Sequence, residues 1–232
     1  MKNAMILCSG GLDSVVTAHF VKKKLKYENI EIIFFNYGQR SIKKERIASK
    51  KCSRDIGAKF REIRLDYLKE MLRCSLMGNI KNESKSDLEN GLSDTKKESD
   101  KWYVPCRNMI FAVNCFSISE ARSANGEKWD LFVGFKNEGK EPFPDTTAKF
   151  VNRINSLNAI ASKSKSRLFA PMIRKDKEDI IKIGRKLDVD LALTYSCYES
   201  KKEHCGKCLA CRLRKSGFYW AGINDPTKYL SN

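Results

Sequence analysis

Short β-rich runs alternate with amphipathic stretches along the first part of the chain. Ala4 to Cys8 is apolar and strand-sized, Ser14 to Lys26 is amphipathic, and the alternation repeats through Glu31 to Asn36, Ile42 to Ile56 and Lys59 to Leu65. Hydrophobic periodicity is the primary signal of element type, so this order predicts β-α-β-α-β. The pattern continues with a helix near Asn108 to Ala124, a strand at Leu131 to Phe135, and helices at Thr147 to Ser162 and Lys177 to Leu187. Strands alternating with helices build a parallel sheet covered on both faces, with ligands received at the carboxyl ends of the strands. The expected fold class is therefore α/β, a doubly wound parallel sheet. Gly78 to Lys101 breaks the pattern: it is rich in Asn, Ser, Asp, Glu and Lys, with only Ile80, Leu88 and Leu92 apolar. Such a stretch predicts a mobile surface loop, and its place just before Trp102-Tyr103-Val104-Pro105 would also suit a lid.

The first strand runs directly into Ser9-Gly10-Gly11-Leu12-Asp13-Ser14, followed by the first helix. The N–H groups at the start of a helix have no partners within it and can hold an anion. Two glycines let the chain turn sharply and let phosphate oxygens approach the backbone, while Ser9 and Ser14 add hydroxyl donors. Asp13 does not fit a pure anion site. It either complements the helix dipole or holds Mg²⁺ against phosphates. The loop lacks the Gly-Lys-Ser/Thr ending of a P-loop, so a different phosphate grip is implied.

Composition adds three constraints. The chain has 232 residues, of which 41% are hydrophobic, enough for one core with an appended small module. No apolar run approaches the ~20 residues that cross a bilayer, so no membrane association is expected. Met1 to Cys8 has a single basic residue and a short apolar run, unlike a secretory signal, and the expected compartment is the cytoplasm. The balance of 45 Lys and Arg against 28 Asp and Glu gives a net charge of +17, a field that attracts phosphorylated ligands and leaves nucleic-acid binding open.

Nine cysteines cannot all pair, and reduced thiols in the cytosol favour metal binding over disulfides. Cys197, Cys205, Cys208 and Cys211 follow a Cys-x7-Cys-x2-Cys-x2-Cys spacing that lets four thiolates close around one Zn²⁺. A closed four-sulfur site has no open position, so its role would be structural. An iron–sulfur cluster on the same ligands is the rival. The expected division is an α/β domain carrying the phosphate-gripping loop over residues 1–190 and a C-terminal zinc-binding helical module over 191–232.

The loop Ser9 to Ser14 resembles the Ser-Gly-Gly-x-Asp-Ser signature of the PP-loop ATP pyrophosphatase superfamily. That resemblance implies ATP bound by its pyrophosphate end, adenylation of a substrate oxygen, and displacement of AMP by a nucleophile. Further segments resemble the 7-cyano-7-deazaguanine synthases of the queuosine pathway over nearly the whole chain. They are Phe35-Asn36-Tyr37-Gly38-Gln39-Arg40, Tyr103-Val104-Pro105-Cys106-Arg107-Asn108, Phe143-Pro144-Asp145, and the ending from Thr194 to Arg212 with its four cysteines.

The resemblance implies that Cys8, Ser9, Gly10, Gly11, Leu12, Asp13, Ser14, Tyr37 and Gln39 bind ATP. It implies that Arg107, Asn108, Phe143, Pro144 and Asp145 meet substrate, and that Asp13, Arg107 and Lys177 act in catalysis. Members turn a deazapurine carboxylate into a nitrile with ammonia and ATP, so the implied partners are 7-carboxy-7-deazaguanine and ammonia, and a homodimer is compatible. Three departures fall at the implied substrate pocket: Cys106 for a glycine, Glu141-Pro142 for Ser-Gly, and Thr146-Thr147 for Cys-Arg. They keep open a conjugating relative that passes the activated carboxylate to a protein amine, while the net charge of +17 and the cysteine module keep open a tRNA-modifying PP-loop enzyme.

Overall fold

The computed structural model describes residues 2–71, 103–137, 139, 143–199 and 203–230. The loop expected at Gly78 to Lys101 and the pair Glu141-Pro142 lie outside or at the edge of these ranges, and carry no structural account. In chain order the elements are β1 (Asn3–Leu7), α1 (Leu12–Lys23), β2 (Asn29–Asn36), α2 (Ile42–Asp55), β3 (Lys59–Arg64), α3 (Asp66–Met71) and α4 (Arg107–Ser123). There follow β4 (Trp129–Val133), a 3₁₀ turn (Pro144–Thr146), α5 (Ala148–Ala161), β5 (Leu168–Phe169), α6 (Lys177–Lys186), a second 3₁₀ turn (Leu191–Leu193) and α7 (Leu209–Ala221).

The strands form one parallel sheet in the order β3-β2-β1-β4-β5. The order reverses between β1 and β4, and the crevice above that switch point is where a doubly wound sheet receives its ligand. The α/β expectation holds. The central strands are buried on both faces, which is why Ile32, Ile33, Phe34 and Phe35 form an unbroken apolar run. Alternate residues feed opposite cores: Ala4 and Ile6 join Val16, Ile180 and Phe218 on one face, and Met5 joins Ala112, Phe116 and Leu131 on the other.

Helix α1 departs from a simple amphipathic reading, since Leu12, Ser14, Val15, Val16, Thr17, Ala18, His19 and Val21 are all buried. It is packed between the sheet, α2 and α6. The strand expected at Leu131 to Phe135 is shifted to Trp129–Val133, because the chain leaves the sheet at Gly134 to pass over the start of α1. No helix among the described residues is long and apolar enough to cross a membrane.

The C-terminal segment packs through α7 on α6. At its centre Arg214 is 1% exposed. Its guanidinium donates to Thr194 Oγ1 at 2.7 Å, Ser196 Oγ at 3.3 Å, the Leu191 carbonyl at 2.9 Å and Asp225 Oδ1 at 3.3 Å, and it lies 5.1 Å from the Phe218 ring centroid. A charge this deep is tolerated because every direction offers an acceptor. Replacing Arg214 by Ala removes the charged partner of Asp225 and empties a buried position surrounded by acceptors. Urea denaturation of Arg214→Ala is expected to show a loss of roughly 3–5 kcal/mol.

Candidate active site

The loop after β1 is held against three neighbours. Gly10 has φ of +81°, and a Cβ there would stand 2.6 Å from Ala48 Cβ and 2.7 Å from the Glu45 carbonyl oxygen. Only glycine meets both demands, the left-handed backbone and the contact with α2. Ser49 Oγ donates to the Cys8 carbonyl at 2.9 Å, and the Tyr195 N–H donates to the Gly10 carbonyl at 2.9 Å, so α2 and the segment leading into the cysteine module both pin the loop. Gly134 closes the third side: a Cβ there would lie 2.8 Å from Ser14 N and Cα. The sequence signal for it is a glycine inside the expected strand Leu131 to Phe135, which marks a bulge or close backbone approach.

The hydrogen-bond ladder of α1 begins where the Val15 N–H donates to the Gly11 carbonyl at 3.0 Å. The N–H groups of Leu12, Asp13 and Ser14 therefore have no partner within the helix, the requirement for an anion cradle. Leu12 is buried in the core and offers only its backbone. Ser9 is exposed and its Oγ accepts from the Gly11 N–H at 3.3 Å. Ser14 is buried, donating to the Gly11 carbonyl at 2.9 Å and accepting from Cys8 Sγ at 3.5 Å. A hydrogen bond with Cys52 pulls the buried Cys8 thiol down to about 7 against the opposing effect of burial, and Cys52 is pushed up in turn.

Lys177 opens α6 and reaches across to Asp13. Its Nζ donates to Oδ1 at 2.7 Å and to Oδ2 at 2.6 Å, with the two side chains 18% and 23% exposed. The start of α6 is fixed by Asn137, whose Nδ2 donates to Asp176 Oδ1 at 2.7 Å and whose N–H donates to the Lys175 carbonyl at 2.9 Å. Two residues separated by most of the chain thus form a charge pair over the first turn of α1. Asp13 complements the helix dipole and also holds a cation.

A second group of side chains lies beside the carboxyl ends of β2 and β4. Arg107 Nη1 donates to Tyr37 Oη at 3.4 Å, and its guanidinium sits 5.9 Å from the Tyr37 ring centroid. Burial works against the Arg107 charge, but Tyr37 and Asp145 outweigh it and keep the group firmly protonated. Asp145 Oδ2 accepts from the Asn108 N–H at 3.2 Å and so caps α4, while Phe143 stacks on Tyr103 at 5.7 Å and 12°. Pro144 is exposed at the start of the 3₁₀ turn.

Gln39 is placed differently from its neighbours. It is 2% exposed, and its amide is occupied by the Phe35 carbonyl at 3.0 Å, the Tyr37 N–H at 3.1 Å and Glu45 Oε2 at 3.0 Å. It braces the turn that presents Tyr37. Glu45, which the sequence did not single out, connects the two groups. Its backbone carbonyl packs on Gly10, its carboxylate accepts from Gln39 and Ser41, and Arg107 acts on it electrostatically. Burial lifts its pKa above the ordinary value against those stabilising contacts.

The four cysteines converge as their spacing predicts, with the Sγ atoms of Cys197, Cys205, Cys208 and Cys211 all within 4.8 Å of one another. The N–H groups of Glu199 and Cys205 donate to Cys197 Sγ at 3.4 Å, and those of Lys207 and Cys208 donate to Cys205 Sγ at 3.4 and 3.3 Å. Backbone donors aimed at sulfur suit thiolates, so the donor set fits a tetrahedral metal ion. Gly206 makes the turn between ligands at φ of +75°. His204 is outside the set: its Nε2 accepts from the Ser196 N–H at 3.1 Å, and burial with the nearby Arg214 charge holds its pKa at about 4, leaving it neutral.

The family model described as queuosine biosynthesis protein QueC matches residues 3–222. The chain belongs to the QueC family. Proteins named 7-cyano-7-deazaguanine synthase are similar to it across their length. The one from Methanococcus vannielii is 37% identical over 98% of both chains, and the one from Methanocaldococcus jannaschii is 36% identical over 98% of this chain and 99% of that one. The one from Nitratiruptor sp. is 35% identical over 98% of this chain and 99% of that one. The solved structure of NMN synthetase from Francisella tularensis covers 96% of this chain and 78% of that chain at 11% identity, with a TM-score of 0.43.

Membership in QueC gives the departures at Cys106 and Thr146-Thr147 a physical reading. Cys106 precedes α4 at φ of +58° and ψ of 8°, in the left-handed region that glycine adopts freely and a side chain does not. Thr146 Oγ1 donates to the Phe143 carbonyl at 3.0 Å, and Thr147 Oγ1 accepts from the Phe150 N–H at 3.1 Å to cap α5. A side chain in the left-handed region costs ~1–2 kcal/mol, partly offset by the ~0.4–1 kcal/mol of extra unfolded-state entropy that glycine brings. Cys106→Gly is expected to raise the midpoint of chemical denaturation by an amount equivalent to roughly 0.5–1 kcal/mol, whereas Cys106→Val should lower it.

Proposed function

We propose that this QueC member uses ATP to activate 7-carboxy-7-deazaguanine and, with ammonia, converts it to 7-cyano-7-deazaguanine. The observation that carries the reading is the Asp13–Lys177 pair poised over the free N–H groups of Leu12, Asp13 and Ser14. That arrangement offers backbone donors and an ammonium group for the pyrophosphate end of ATP, with a carboxylate beside them to hold Mg²⁺. Mg²⁺ bound there would neutralise phosphate charge. The likeness to named synthases supplies the substrate class.

A carboxylate is a poor electrophile, and its adenylation provides AMP as a leaving group. The substrate carboxylate oxygen attacks the α-phosphorus and pyrophosphate departs; ammonia then attacks the acyl carbon, AMP leaves and a primary amide remains. A second adenylation, now on the amide oxygen, lets the nitrogen lose its protons as AMP departs, leaving the nitrile. Charge grows on the phosphoryl oxygens in each transfer, and Lys177 with the first turn of α1 is placed to stabilise it. Arg107, held protonated by Tyr37 and Asp145, is suited to orient the anionic substrate, and the Phe143 and Tyr103 rings offer a stacking surface for a planar base. The cysteine group is assigned to Zn²⁺ in a structural role, and the reduced thiols suit the cytoplasm.

Purified protein given 7-carboxy-7-deazaguanine, ammonium and ATP is expected to release AMP only when the deazapurine is present, and mass spectrometry should detect the nitrile. Absence of substrate-dependent AMP would overturn the reading. Lys177→Ala should lower kcat by ~100-fold or more while the protein stays folded. Elemental analysis is expected to find zinc in the purified protein, without the visible absorption of an iron–sulfur cluster. Cys211→Ser should lose the metal and lower the melting temperature.

A further inference from the structure

Helix α7 contains Gly217 in its buried interior. A glycine within a helix costs about 1 kcal/mol relative to alanine, so a buried one calls for a packing reason. The reason is Lys177. A Cβ on Gly217 would lie 2.3 Å from Lys177 Cγ and 3.1 Å from Lys177 Cβ, with Ile181 Cδ1 at 3.0 Å. The aliphatic stem of the lysine is laid on bare helix backbone on one side, while its ammonium bonds both oxygens of Asp13 on the other.

The obstruction would fall at Cγ, near the root of the side chain, and could not be relieved by moving only its flexible end. Nor is α7 free to retreat. Cys208 and Cys211 tie its first turn into the four-sulfur cluster, and Arg214 anchors its middle to Thr194, Ser196, Leu191 and Asp225. Cys208, Cys211, Arg214 and Gly217 are three residues apart. At about 100° per residue, each step of three turns back by roughly 60°, so the series winds half-way around α7, from the metal ligands to the face against α6.

We propose that Gly217 is a positioning residue for Lys177, and that α7 thereby couples the cysteine module to the ATP site. This deepens the reading of Asp13 and Lys177 as the ATP grip and rests on it. With a methyl group at position 217, the Lys177 side chain must leave the rotamer that reaches Asp13. The cysteine module then has a catalytic consequence without containing a reacting atom.

The test is a double-mutant cycle on binding of the nonhydrolysable analogue α,β-methylene-ATP, with AMP release as a second readout. Gly217→Ala is expected to keep its bound zinc, bind the analogue more weakly, and lose ~100-fold in kcat, the scale of a misplaced catalytic group. In the Lys177→Ala background the same substitution should cause no additional loss of affinity. If Gly217→Ala alone fails to fold, Lys177→Ala/Gly217→Ala is expected to fold, since removing the stem makes room for the methyl. The proposal is overturned if Gly217→Ala binds and turns over as the parent does, if its loss multiplies with that of Lys177→Ala, or if neither variant folds. Failure of the parent protein to bind the analogue would instead overturn the ATP-site reading beneath it.

Discussion

A single ammonium group shared by both oxygens of Asp13 governs the geometry of the crevice. The pair sits where the strand order reverses, at the positive end of α1, and neither partner is deeply buried. Its contribution to folding is correspondingly small, because partly exposed ion pairs lose much of their Coulomb energy to water. Its importance lies in position. Lys177 comes from the start of α6 and Asp13 from the start of α1, so the pair links the starts of two helices at the proposed ATP site.

The surrounding fold supports that link from several sides. Gly10 and Gly134 allow backbone to approach backbone on either side of the loop, and the Tyr195 N–H ties the Gly10 carbonyl to the segment entering the cysteine cluster. Asn137 sets the start of α6. The same C-terminal segment therefore touches the site twice, once through Tyr195 at the loop and once through Gly217 at the lysine stem. A closed four-sulfur metal site offers no coordination position for substrate. Mechanical support is the influence that its geometry allows.

How much of this was visible in the sequence depended on how local the cause was. The glycine loop after β1 and the cysteine spacing are each written within a short stretch of chain, and the four cysteines converge as their spacing implies. The parallel sheet was legible because periodicity alternates along the chain. Short β5 carried too few residues to signal itself, and α3 lacked a recognisable run. Arg214 and Gly217 look in sequence like an ordinary cation and an ordinary glycine, since what defines them is a neighbour on another part of the chain. Gln39 illustrates the reverse: a motif residue drew attention to the right turn, while the fold directs its side chain into the turn itself.

The charge balance also separates long-range attraction from local selection. The net charge of +17 draws anions toward the protein, but that field does not distinguish one phosphate from another. Within the crevice Asp13 already satisfies the Lys177 charge, so a bare anion would have to separate an existing pair to gain the ammonium. A metal-chelated triphosphate differs, because its cation offers Asp13 a new partner while its oxygens offer one to Lys177. Exchanging both partners together avoids leaving either charge without a counter-charge. In the proposed ATP site, the closed ion pair would therefore favour a ligand carrying charges of both signs over one that is merely negative.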